Sequence, residues 1–198
     1  LGVLLLGTVY GVIIGVMLSF VAVIFRAIVP PRAYLGVIPG HEDFYTLKRN
    51  KSAKPIKHTV IYRFSGNLFF GNWNTFQQDI ESAIEEDTKQ VIVDARGIGS
   101  VDMTAAERLI ILHDNLKEKV IHFYITEHVG SVNDQLRNYG AGRLIEEGVV
   151  RRTITLALRA AGVERPYPLV GINADEPYEY IEANERLAEI EWAFGDSA

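Results

Sequence analysis

The sequence predicts an α/β domain that follows one membrane-spanning helix. Short runs of β-branched and aromatic residues alternate with amphipathic segments, which is the pattern of strands packed against helices in one layered domain. Ahead of them, residues 1–25 form an apolar run without a charged residue. We therefore divide the chain into a membrane helix over 1–29, a basic juxtamembrane linker over 30–57, an α/β domain over 58–162 and an acidic C-terminal extension over 163–198.

Composition excludes several classes of function. The chain has 198 residues and a net charge of −5, whereas a domain that binds nucleic acid is normally basic. It contains no cysteine, so it has no disulfide, thiol nucleophile or cysteine zinc site, which is compatible with a cytosolic domain. The sequence begins at Leu1, inside the apolar run, and we expect it to be the C-terminal piece of a longer protein.

The apolar run is long enough to cross a membrane, since about 20 apolar residues span the hydrocarbon core. A signal peptide is one alternative, but no basic region precedes the run and no small-residue cleavage site follows it. A buried helix of a soluble domain is the other, although such helices are seldom so long. Gly7, Gly11 and Gly15 recur every four residues and form one face, which predicts close contact with further membrane helices.

Pro30 and Pro31 end this helix, and basic residues dominate the segment that follows. From Arg26 to Lys57, seven basic residues stand against only Glu42 and Asp43. The basic residues are Arg26, Arg32, Lys48, Arg49, Lys51, Lys54 and Lys57. The positive-inside rule therefore places everything after Pro31 in the cytoplasm, where these charges are solvated and also attracted to anionic membrane lipid.

The α/β domain begins with a predicted strand at 60–64, a tight turn at 65–67 and a second strand at 68–70, which together make a hairpin. Asn74 and Gln77 are predicted to cap the next helix. The apolar face of that helix is Phe76, Ile80 and either Ala83 or Ile84.

The centre of the domain is the stretch from Val91 to Leu116. Residues 91–93 predict a strand that is buried on both faces, and residues 96–100 predict a loop because they contain two glycines. Thr104 is the predicted N-cap of the next helix, and Glu107, three residues later, completes a capping box.

The remainder continues the alternation of strands and helices. Residues 120–125 predict a strand and 131–139 a helix, and a last helix runs over about 152–161. From Asp175 the sequence predicts a terminal helix to about Phe194, and residues 175–198 carry eight acidic residues and one basic residue. We expect its apolar side to pack on the domain or on a second subunit, through Ile181, Leu187, Ile190 and Trp192.

No pattern indicates catalysis, a cofactor or a metal. The five histidines lack the spacing of a metal site. Gly97 and Gly99 match neither a phosphate-binding loop nor a dinucleotide fingerprint, and nucleotide binding stays a weak alternative. Asp94 and Asp102 bracket the loop, and we predict that they serve turn and cap geometry rather than acid–base chemistry. We expect a protein that is not an enzyme.

Two stretches carry a family resemblance. VIVDARGIGSVDMTAAERL resembles the signature of the STAS domain, and LGVIPG followed by VIYRF and NLFFGN resembles the junction between the last membrane helix and the STAS domain of SulP anion transporters. The resemblance implies a central mixed sheet flanked by helices. It also implies a cytoplasmic regulatory or interaction domain of a transporter in the cell membrane, for sulfate, bicarbonate or a similar anion, with the transport site outside this chain. The implied partners are the transporter's membrane domain, a second copy and a cytoplasmic regulator.

An alternative function rests on Asp102 and Thr104. In STAS proteins that antagonise anti-sigma factors, the loop reads Asp-Ser-Ser-Gly, and a kinase phosphorylates the second Ser, whose position Thr104 occupies. Met103 and Ala105 depart from that pattern. Thr104 is therefore either a helix cap alone or the site of a membrane-tethered phosphoswitch, and Asp102 and Thr104 are the candidate phosphorylation or partner-contact residues.

Overall fold

The computed structural model describes residues 7–39, 41, 43–163, 187 and 190. The chain divides into two compact units, Leu1–Pro30 and Pro31–Ala198. Helix α1, Thr8–Ile28, belongs to the first unit, and it is long and apolar enough to cross a membrane. It therefore fits the predicted membrane helix, and Arg26 lies in its last turn.

The second unit is built on a five-stranded sheet in the order β2-β1-β3-β4-β5. Its strands are β1 Arg32–Val37, β2 Phe44–Thr46, β3 Thr59–Phe64, β4 Gln90–Asp94 and β5 His122–Thr126. Strand β1 pairs antiparallel with β2 and β3, whereas β3, β4 and β5 are parallel. The prediction of an α/β domain with a central mixed sheet is confirmed.

Helices cover both faces of the sheet. They are α2 Trp73–Ala83, α3 Met103–Glu118, α4 Gly130–Asn138, α5 Arg143–Glu146 and α6 Ile154–Ala160. Val91 and Val93 pack in the core cluster that includes residues of α2 and α3, and Ile92 packs with α6 on the opposite face. Strand β4 is thus buried on both faces, which explains its uninterrupted apolar sequence.

The prediction that 30–57 is a linker is wrong. This segment contains β1 and β2, and Leu35, Val37 and Ile56 are buried in the core. The many basic residues made the whole segment resemble a solvated linker. Most of them lie outside the strands, in the turn region that follows β2, where Lys48, Arg49 and Lys51 are exposed.

The predicted hairpin after β3 is also wrong. Strand β3 already has β1 on one side and β4 on the other, so neither edge is free for a hairpin partner. Leu68 instead forms an isolated parallel bridge with Val101, and its N–H donates to Ser100 O at 2.9 Å.

The start of α2 differs from the prediction as well. The helix begins at Trp73, so Asn74 lies inside it and is not the cap. The buried Asn72 precedes the helix, accepts a hydrogen bond from Phe69 N and donates to Asn67 O, which holds the preceding turn together. Gln77 accepts a hydrogen bond from the Trp73 indole. The predicted apolar face of α2 is confirmed, because Phe76, Ile80 and Ala83 are all buried.

Beyond Val163, two residues of the C-terminal extension are described, and both are helical. Leu187 is 5% exposed within the core cluster, and Ile190 packs against the same cluster. The predicted packing of these two residues on the domain is confirmed. Ile181 and Trp192, and the predicted helix over 175–194 as a whole, lie outside the described residues.

Candidate partner-contact site

The candidate site lies where β4 leads into α3. The buried strand ends at Asp94, a loop follows, and Asp102 precedes the first residue of the helix. Gly97 packs so closely against the backbone of Ser65 that no side chain fits there without a shift. The loop is therefore held against the segment that leaves β3.

Asp102 joins the two segments through both of its carboxylate oxygens. Oδ1 accepts a hydrogen bond from Ala105 N at 2.7 Å and caps α3. Oδ2 accepts one from Phe70 N at 3.0 Å, and Asp102 N donates to Leu68 O at 3.1 Å. The predicted cap role of Asp102 is confirmed, and the same side chain fixes the turn ahead of α2.

The prediction that Thr104 caps the helix is wrong. Thr104 is the second residue of α3, and Asp102 occupies the cap position. An aspartate is at least as good an N-cap as a threonine, and the helix begins where the better-placed acceptor stands. Thr104 is half-buried, and within the described part of the chain its hydroxyl makes no hydrogen bond. The capping box with Glu107 does not form.

Two apolar side chains flank Asp102 on the surface. Phe70 is 69% exposed and Met103 is 57% exposed, although each is adjacent in sequence to residues that pack in the fold. Phe70 also makes an edge-on contact with Phe69, with ring centroids 5.6 Å apart. We call Phe70, Asp102 and Met103 the cap surface. Exposed aromatic and methionine side chains are enriched at protein-contact surfaces.

Asp94, the other carboxylate that brackets the loop, has a structural role. Its side chain is fully buried, and Arg63 Nε donates to it at 2.8 Å. Arg96 donates to the same carboxylate from its backbone N at 3.1 Å and from Nε at 3.3 Å. The predicted role of Asp94 in turn geometry is confirmed.

Sequence reasoning missed a second polar centre, at Asp79 in α2. Arg32 Nη1 donates to Asp79 Oδ2 at 3.1 Å, Tyr62 OH donates to the same oxygen at 2.5 Å, and Tyr34 OH donates to Asp79 O at 2.6 Å. Burial raises the pKa of Asp79 above its ordinary value, and the hydrogen bond from Tyr62 and the charge of Arg32 oppose that shift. Spacing could have revealed it, because residue 79 lies three after Phe76 and shares the buried helix face.

Histidine and acidic side chains form pairs rather than metal clusters. His58 Nδ1 lies 3.0 Å from Asp87, and His113 Nε2 lies 3.2 Å from Glu147. Among the residues that the structure describes, no three His, Asp or Glu side chains come together as a metal site would require.

Comparison with known proteins identifies the family of the domain. Residues 50–159 match the STAS domain. A probable sulfate transporter of Mycobacterium tuberculosis is 28% identical over 161 residues, which cover 80% of this chain and 29% of that protein. Probable sulfate transporter 3.4 of Arabidopsis thaliana is 24% identical over 146 residues, covering 68% of this chain and 22% of that protein.

The fold has a counterpart in a solved structure. The murine Slc26a9 anion transporter in the inward-facing state superposes with a TM-score of 0.69 over 77% of this chain and 25% of that chain, at 21% identity. The present chain spans less than a third of the length of the transporters that it matches.

Proposed function

Because the chain belongs to the STAS domain family, we propose that it is the cytoplasmic regulatory and interaction domain of a SulP-type secondary anion transporter, tethered by α1. The observation that carries this proposal is how much of the chain matches a sulfate transporter. The STAS match covers 50–159, whereas the match to the mycobacterial sulfate transporter covers 80% of the chain and so extends outside that domain. A non-enzymatic role follows, with the transport pathway for sulfate or a similar anion built by the rest of the protein.

The cap surface is the proposed contact with the transporter's own membrane domain. More than two thirds of the length of the related transporters lies outside the region matched here, so such a transporter brings a large covalently linked partner to this domain. Asp102 holds the turn that carries Phe70 and the helix that begins with Met103 in one arrangement. A preorganised apolar pair loses little conformational entropy on docking.

Photo-cross-linking in the full-length protein in its native membrane tests this contact. A photoreactive residue at position 103 should give an intramolecular cross-link to the membrane domain. The matched control is position 111, because Ile111 lies on the same helix and is also 57% exposed. Equal cross-linking from both positions would contradict the proposal. Capture of a separate protein, or of a second copy, from position 103 alone would replace the membrane domain with that partner.

The orientation of the domain across the membrane can be tested by cysteine labelling, because this chain contains no cysteine of its own. The proposal places the region after Pro31 in the cytoplasm, where the exposed Lys48, Arg49 and Lys51 are attracted to anionic lipid headgroups. Ser52 is exposed in the same turn region, so Ser52→Cys introduces one label site into this chain. A membrane-impermeant thiol reagent should label it in inside-out vesicles. Labelling from the outside of intact cells would contradict the orientation.

The second candidate function is a phosphoswitch at Thr104. The observation in its favour is the half-buried hydroxyl that makes no hydrogen bond within the described residues. Against it, Asp102 already supplies a negative charge to the helix N-terminus, and like charges repel. Mass spectrometry of the protein from its native cells decides the matter. A phosphate on Thr104 that is lost in Thr104→Ala would establish the switch, and an unmodified residue under all growth conditions would exclude it.

A further inference from the structure

A separate cleft lies at the outer edge of β5. It has a volume of about 220 Å³ and is walled by β5, the C-terminal half of α3 and residues 147–151. Its polar side chains are His113, Lys117, His122, Tyr124, Glu147 and Arg151. Lys117 lies 15 residues after Asp102, which is about 22 Å along a helix axis, so the cleft is distinct from the cap surface.

The backbone of β5 offers a hydrogen-bond donor to this cleft. Residues 149–151 run beside the end of β5, where Ile125 N donates to Val149 O and Arg151 N donates to Ile125 O, both at 2.9 Å. The pairing continues to Glu127, whose N–H donates to Arg152 O at 3.2 Å, but within the described chain it does not extend from Ile125 back towards Phe123. Successive N–H groups of a strand alternate between its two sides, so the Phe123 N–H points outward like that of Ile125. It faces the cleft without a strand partner.

Arg151 supplies a positive charge that no described residue neutralises. No carboxylate pairs with Arg151 among the residues that the structure describes, and its buried Nε has no hydrogen-bond partner. The guanidinium carbon instead lies 6.0 Å from the centre of the Tyr124 ring. A half-buried guanidinium without a counter-ion is unfavourable, because desolvation weakens its hydration and nothing replaces it.

Glu147 is the carboxylate among the described residues that line the cleft. That charge is already engaged, since Lys117 Nζ lies at 3.1 Å and His113 Nε2 at 3.2 Å. The hydrogen bonds from His113 and Lys117 hold the pKa of Glu147 below its ordinary value. Burial raises the pKa of Tyr124, so its hydroxyl stays protonated and can donate. The end of the cleft near Arg151 is therefore rich in donors and positive.

We propose that this cleft binds an oxyanion group, a sulfate or a phosphate, between the Phe123 N–H, the Arg151 guanidinium and the Tyr124 hydroxyl. Guanidinium and backbone N–H groups together are the donors that oxyanions prefer in proteins. The rings of His122 and Tyr124 stack with centroids 6.3 Å apart, and they offer a flat wall to an organic ester that carries the group. The site is independent of the cap surface and of its partner.

The test is a titration of the full chain in detergent micelles, monitored by the NMR signals of the Phe123 amide and the Arg151 Nε–H. Sodium sulfate, sodium phosphate and phenyl phosphate are added at constant ionic strength, with sodium chloride as the reference. Sulfate or phosphate should shift both signals saturably. Phenyl phosphate binding more tightly than inorganic phosphate would identify an organic ester as the source, and equal affinity would identify the free anion.

Matched variants make the result specific. Arg151→Gln should weaken oxyanion binding about tenfold or more, which is the loss of one charge-assisted hydrogen bond. Arg152→Gln, at the adjacent exposed arginine, should stay within about twofold of the parent. If Arg151→Gln disturbs the rest of the spectrum, Arg151→Lys keeps the charge and should bind with intermediate affinity. The proposal would be overturned if chloride saturated the signals equally, or if the signals that shift lay outside the cleft. An equal loss of oxyanion affinity in both Gln variants would also overturn it.

Discussion

Two aspartates of this domain accept hydrogen bonds from several donors, yet they differ in what they leave at the surface. Asp79 is 7% exposed in the middle of a helix, and its partners Arg32 and Tyr62 come from the sheet beneath it. Asp102 is half-buried at the start of a helix, and its partners are backbone N–H groups of Ala105 and Phe70. Burial makes the hydrogen bonds of the first side chain a requirement of the fold, whereas the second side chain shapes a surface that a partner can reach.

The largest expected effect is at Asp79. Asp79→Ala removes the carboxylate that accepts from both the Arg32 guanidinium and the Tyr62 hydroxyl, and breaking a buried ion pair from one side costs about 3–5 kcal/mol. Chemical denaturation of the chain in micelles measures the loss. Asp134→Ala is the control, because the exposed Asp134–Arg137 pair should contribute no more than about 1 kcal/mol. Similar losses in the two variants would contradict the contrast between buried and exposed charge.

The pH dependence of stability sharpens the same contrast. Burial raises the native pKa of Asp79 above 3.8, so between 3.8 and the raised value the native state binds more protons than the unfolded state. Stability contributed by this group is therefore greatest below pH 3.8 and declines as pH rises through that window. Asp79→Asn cannot ionise, so the difference between the stability–pH curves of the parent and this variant should show the component that Asp79 contributes. A component of opposite slope would mean that Arg32 outweighs burial.

A smaller effect separates Asp102 from Thr104. Asp102→Ala removes the cap of α3 and should lower the free energy of unfolding by about 1 kcal/mol. Thr104→Ala removes no hydrogen bond of the described structure and should cost less than about 0.5 kcal/mol. Urea denaturation of both variants gives the comparison directly. A larger loss in Thr104→Ala would show that threonine, not aspartate, caps the helix.

The sequence predicted the parts of the fold that depend on local periodicity. The buried run at β4, the amphipathic helix α3 and the apolar face of α2 follow from spacing alone. The linker and hairpin predictions failed because both depend on strand pairing that is distant in sequence. Arg32 pairs with Phe64 and β3 with β4 across the sheet, and no local pattern records which edges are already occupied.

The candidate site was predicted in part. The loop, its turn and the role of Asp102 could be inferred, since an acidic residue three before a helical amide is a recognisable cap. The assignment of the cap to Thr104 was wrong because the capping-box spacing competed with the aspartate signal two residues earlier. The exposure of Phe70 and Met103 could not be predicted, because it depends on how the turn after β3 meets the start of α3.

The central claim is that the cap surface couples this domain to the membrane part of a transporter. Its most direct test is anion uptake by the full-length protein with Met103→Asp against Ile111→Asp, at equal abundance in the membrane. The two residues are equally exposed on one helix, so any general cost of a surface aspartate is shared. We predict that Met103→Asp changes uptake about fivefold or more, a typical coupling between sites, while Ile111→Asp resembles the parent. Unchanged uptake in Met103→Asp, or equal changes in both variants, would contradict the claim.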